Sequence, residues 1–148
     1  MKTFRFSLQR VLEWRELQMR TEEEKLSILQ KQSAELLLRE NALVQAELKA
    51  EMSVLQQPTV QGSEFRALTA FHVRLRNAQA SLRANREIVE RQIAEQRKRL
   101  LKAKKECKTA QKLKEGRLKQ WTYLNDRELE NTAAESYISN WLRLNDGR

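Results

Sequence analysis

Across 148 residues this chain holds one proline and three glycines, and that scarcity limits its possible folds more than any other feature. Proline lacks the amide that a helix interior needs, and glycine supplies the backbone freedom that a tight reversal needs, so a chain nearly without them has few places to turn. Pro58 and Gly62 stand together in Gln57-Pro58-Thr59-Val60-Gln61-Gly62-Ser63, and no other proline or glycine occurs before Gly116. The spacing predicts a hairpin tip over 57–63, with Gly62 in left-handed backbone, between two antiparallel arms.

Leu, Ala, Glu, Lys, Arg and Gln dominate the rest and are all good helix formers. With 33% charged and 6% aromatic residues, the chain is poor material for a globular core. The expected class is all-α: one long two-helix antiparallel coiled-coil hairpin with a C-terminal helical overhang. Helix 1 is expected over about 8–56 and helix 2 over about 64–143, with one minor interruption at Gly116.

On the first arm Ser7 is the expected N-cap, with Phe6 packing on Val11 as a hydrophobic staple. Leu8, Leu12, Met19, Leu26, Leu29, Ser33, Leu36, Glu40 and Leu43 then recur at mostly three- and four-residue steps, which defines a seam in which Ser33 and Glu40 are weak points. A second apolar set, Leu37, Val44, Leu48, Met52 and Leu55, lies about 100° around the helix. It reads either as a wide stripe under a thicker core or as a partner-binding surface.

Ser63 is the expected cap of the second arm, with Glu64 well placed at the positive end of that helix. The second seam reads Leu68, His72, Leu75, Leu82, Val89, Ile93, Leu100, Ala103, Cys107, Ala110, Leu113, Trp121 and Leu124, near the 3.5-residue period of a left-handed supercoil. In a hairpin centred near residue 60, the numbers of contacting residues add to about 120. That places Leu48 near His72, Met19 near Leu101 and Leu8 near Lys112. The arms are unequal, about 74 Å against about 120 Å at 1.5 Å per residue, so Trp121 through Trp141 is left without a first-arm partner.

The net charge of +9 is unevenly spread: residues 1–57 carry nine basic and nine acidic side chains, 58–120 seventeen and six, and 121–148 three and five. The basic excess on the second arm reads as a solvated face, a polyanion-binding surface or a surface drawn to anionic lipid or an acidic protein channel. Residues 97–120 hold no aromatic side chain to stack on bases, so nucleic acid is not the expected partner. His72 has no second histidine or cysteine at metal-ligand spacing. Cys107 reads as a small seam residue, and no phosphate-binding loop is present. No catalytic residue, metal site or cofactor is expected. No apolar run approaches the roughly 18 residues of a membrane span, and Met1-Lys2-Thr3-Phe4-Arg5-Phe6 lacks the apolar stretch of a secretory signal, so a cytoplasmic location is expected.

Phe4-Arg5-Phe6-Ser7-Leu8-Gln9-Arg10-Val11-Leu12-Glu13-Trp14-Arg15-Glu16 resembles the opening of the flagellar export protein FliJ family, whose members commonly begin Phe-Arg-Phe-x-Leu-x-x-Val-Leu before a Glu/Arg-rich stretch. The resemblance implies a non-catalytic stalk of the flagellar type III export apparatus, similar to the central γ shaft of rotary ATPases and needed for flagellum assembly and motility. It implies a hexameric export ATPase as partner at the end carrying the termini and a membrane export gate near the tip. Export chaperones are a further implied partner, and association with the cytoplasmic face of the membrane would run through these proteins. Phe71-x-x-x-Leu75-x-x-Ala78 resembles the family's gate-contact pattern. With Leu37, Val44 and Leu48 across the hairpin, these residues form the expected gate face. Arg10, Trp14, Lys112, Arg117 and Trp121 are the expected contacts to the ATPase ring. A generic coiled-coil scaffold, a related secretion stalk and a basic nucleic-acid-binding rod are the alternative readings.

Overall fold

The computed structural model describes residues 3–146. It contains two helices packed against each other, α1 over Gln9–Leu55 and α2 over Gly62–Asp146, and no strand among the described residues. The all-α class expected from composition and the hairpin expected from Pro58 and Gly62 are therefore present. The chain groups into two compact units, one built from the residues up to Met19 with those from Ala103 onward, the other from Arg20–Lys102. They are called here the terminal unit and the tip unit.

The helix ends follow local chemistry. A turn over Ser7 and Leu8 precedes α1, closed by the Gln9 amide donating to the Phe6 carbonyl at 3.1 Å, so the helix begins just after the expected start. At the far end the Gln57 amide turns back to the Val54 carbonyl at 3.3 Å, and Pro58 forbids a further turn because it disfavours α geometry in the residue before it. The cap of α2 differs from expectation. Gln61, not Ser63, occupies the cap position, since its carbonyl accepts from the amides of Glu64 (3.0 Å) and Phe65 (3.2 Å). Glu64 Oε2 in turn accepts from the Gln61 amide at 3.1 Å, the returning half of a capping box. Gly62 is thus the first residue of α2, and no described residue has positive φ. The reversal is made by residues 56–61 without left-handed backbone. Gly116 does not interrupt α2 either.

Burial along both helices repeats every seven residues. On α1 one row runs Leu12, Met19, Leu26, Ser33, Glu40, Glu47, Val54 and the other Arg15, Glu22, Leu29, Leu36, Leu43, Ala50, and each member is buried or half-buried. On α2 the rows run from His72 in sevens to Trp121 and from Leu68 in sevens to Ala110, again without an exposed member. A strict seven-residue repeat is the pattern of helices that supercoil about a shared seam. Leu8, Leu113 and Leu124, expected in the seam, are exposed.

In the tip unit the seam is centred on Leu75, Ile93 and Leu100, with buried Gln96 among them. Gln96 Nε2 donates to the Glu22 backbone carbonyl at 3.1 Å and also to the Glu22 carboxylate. The two expected weak points have found partners. Ser33 Oγ donates to Glu90 Oε1 at 2.7 Å, and the Glu40 carboxylate accepts from Arg83 Nε at 3.0 Å and Arg86 Nη1 at 3.1 Å. In the terminal unit Leu12 and Cys107 are buried, Arg15 pairs with Glu106, and the Phe4 and Trp121 rings lie 6.0 Å apart at 57°. Numbers of the residues paired across the seam add to between 118 and 126, as a register centred near residue 60 requires.

The hydrogen bond from Arg83, with a second from Arg86, holds the Glu40 carboxyl below the ordinary glutamate range against the opposing effect of desolvation. A lowered folded-state pKa means stabilisation that is present above the unfolded glutamate pKa and lost as pH falls through the folded one. Glu40→Gln is therefore expected to be less stable than the parent at neutral pH, with the gap closing as pH drops below the ordinary glutamate range. Urea denaturation at a series of pH values measures it, and a gap that is constant with pH contradicts the assignment.

Candidate interaction surfaces

The expected gate residues separate on the structure. Leu75 is 6% exposed and belongs to the seam, so it is not available to a partner. Leu37, Val44, Leu48, Phe71 and Ala78 are exposed, but on two different faces. On α2 both His72 and Leu75 face α1; Thr69 and Arg76 flank His72, whereas Phe71 and Ala78 flank Leu75 on the other side, because residues three and four apart share a side of a helix. On α1 the side that meets Thr69, Arg76 and Arg83 is marked by Glu40, bonded to Arg83, and by Glu51, whose Oε1 lies 3.6 Å from His72 Nε2. Leu37 and Val44 precede Glu51 by fourteen and seven residues and so share its face. The expected pairing of Leu37, Val44 and Leu48 with Phe71 and Ala78 thus has the right level along the helices and the wrong side.

The face that carries Val44 holds more apolar surface than the sequence reading assigned to it. Leu48 and Leu55 follow Val44 and Glu51 by one helical turn, and Phe65 and Val73 stand one turn to either side of Thr69. All four are exposed, Leu48 at 48% and Val73 at 53%. Phe65, Thr69, Ala70 and Val73, with Arg66, line a shallow groove. Leu55 is level with Phe65 and Leu48 with Val73 in the observed register. Val73 was missed because the seven-residue seam does not claim it, and Phe65, seven residues before His72, because the seam reading began at Leu68; the signal was their four-residue spacing from Thr69.

In the terminal unit, Arg10, Trp14, Lys112 and Arg117 are exposed. Trp14 is partly engaged, since the Arg15 guanidinium carbon lies 4.7 Å from its ring centre, a cation–π contact. Trp121 is half-buried against Phe4, so it does have a partner from the N-terminal segment and closes the seam instead of standing free. Beyond it α2 continues to Asp146 with only Asn125 half-buried among the side chains described. Tyr137, Trp141 and Leu144, at helical spacing, are exposed, as expected for residues past the reach of the first arm.

The described residues offer two exposed surfaces: an apolar face near the tip, and a mixed basic and aromatic surface in the terminal unit. No described helix is long and apolar enough to cross a membrane. Comparison of the chain with protein-family models, with curated proteins and with solved structures finds no match in any of the three.

Proposed function

We propose that the chain is a non-catalytic stalk of the flagellar type III export apparatus, coupling a hexameric export ATPase to the membrane export gate at the cytoplasmic face of the membrane. The observation that carries this reading is the uncovered apolar face of the tip unit, Val44, Leu48, Phe65 and Val73 on two helices, in a chain whose opening residues resemble the FliJ family. A two-helix scaffold has no need of that face for its own core, and large exposed apolar surface is a signature of a docking site. Rows of side chains at helical spacing suit recognition by a groove or platform of the gate.

The terminal unit supplies a second candidate surface. Arg10, Lys112 and Arg117 offer exposed positive charge, and Tyr137, Trp141 and Leu144 offer uncovered apolar surface. Insertion of this unit into a ring would cover both. Size-exclusion chromatography with the flagellar export ATPase tests the reading: the chain is expected to elute with the hexamer, and elution apart from it removes the stalk assignment in favour of a generic scaffold.

A further inference from the structure

Near the tip, three metal-ligating side chains from two helices converge. Glu47 and Glu51 stand one turn apart on α1 and His72 reaches them from α2, with one ligand atom from each residue lying within 4.8 Å of the others. His72 Nδ1 is 3.3 Å from Glu47 Oε1, and Nε2 is 3.6 Å from Glu51 Oε1. Nε2 is buried and has no hydrogen-bond partner, although an imidazole nitrogen shut away from water ordinarily finds one. The Glu51 side chain is 41% exposed, so the cluster is open to solvent on that side. We propose that Glu47, Glu51 and His72 bind a divalent cation of the zinc class that ties α1 to α2.

The donor set selects the class. Magnesium and calcium favour all-oxygen shells, whereas one imidazole with two carboxylates suits zinc and its neighbours in the first transition row. Donors around tetrahedral zinc stand about 3.4 Å apart, given bonds of about 2.0–2.1 Å. Rotation of the two glutamate side chains, with Glu47 turning from Nδ1 toward Nε2, would close the present cluster to that spacing, and water would complete the shell. The orphaned Nε2 gains a partner, and two neighbouring carboxylates gain a positive charge between them.

Titration of the full chain with zinc chloride by calorimetry, and with cobalt chloride followed by visible absorption, tests the site. One-to-one binding is expected, with a rise in melting temperature on adding zinc. His72→Gln and Glu51→Gln should each weaken binding by about tenfold or more while far-UV circular dichroism stays unchanged. Glu51 is 41% exposed at its side chain, so its glutamine variant keeps the test sound even where His72→Gln disturbs packing. Cys107→Ser should leave binding intact, because that thiol lies in the terminal unit. Absence of stoichiometric binding at roughly 1 mM zinc, or binding that is indifferent to both variants, overturns the proposal and leaves the cluster as a polar layer of the seam.

Discussion

Ile93→Ala is expected to lower the unfolding free energy by about 2–4 kcal/mol and the melting temperature by roughly 5–15 °C. Ile93 is 4% exposed at the centre of the tip unit's seam, and the buried apolar core of the chain consists, among described residues, of Leu12, Leu75, Ile93, Leu100 and Cys107. Two helices close over such a residue from one side only, so few neighbours are free to collapse into the space that truncation leaves. Ile88 supplies the control. It is the same residue type on the same helix but is 53% exposed, and Ile88→Ala should stay within about 0.5 kcal/mol of the parent. Equal losses at the two positions would show that the seam is not where stability resides.

Leu48→Ala combined with Val73→Ala is expected to abolish swimming and export of flagellar subunits in a strain that depends on this chain. Helicity and melting temperature should remain close to the parent, because alanine is the best helix former and both positions are exposed. The comparison that gives this result its meaning is Phe71→Ala on the opposite face, which should leave most motility. Pairing Phe71 with Leu75 in one variant would not serve, since Leu75 is a seam residue whose loss destabilises the hairpin for reasons unrelated to a partner. Normal export in the Leu48/Val73 variant would reject this face as the gate contact; loss of export in Phe71→Ala alone would move the contact to the other side.

Between Leu12 and Leu100 the seam was legible where apolar residues marked it, whereas Leu8, Leu113 and Leu124 were read into it and are exposed. Leu26, Leu29, Leu36, Leu43, Leu82, Val89 and Ile93 stand at steps of three, four or seven residues, and a buried stripe needs nothing more to be found. Arg15, Glu22, Gln96 and Arg86 hold seam positions too, yet a charged or amide side chain reads as exposed until its partner across the seam is known: Glu106 for Arg15, Glu40 for Arg86, and Glu22 with Gln96. The same limit hid the convergence of Glu47 and Glu51 on His72, because metal-ligand spacing is a rule for one segment and these ligands come from two.

Register was also readable, since one turn fixes it: a tip near residue 60 sets which residues stand level. Which side of the seam a residue faces was not. That depends on how the rows flanking the seam meet across it, and only contacts such as Glu40 with Arg83 reveal it. Hence Phe71 was set beside Val44 at the correct level and on the wrong face. Gly62 misled for a different reason: a glycine near a reversal invites left-handed backbone, but here Pro58 ends α1 and residues 59–61 complete the turn without positive φ, which leaves Gly62 free to open α2.

Hydrolysis of ATP by the flagellar export ATPase, measured with and without this chain over a range of ATPase concentrations, tests the central claim most directly. A stalk that seats in the ring should favour the hexamer and raise the rate per subunit, most at concentrations where the ATPase alone is largely dissociated. A rate unchanged by the chain at every concentration would contradict the stalk account.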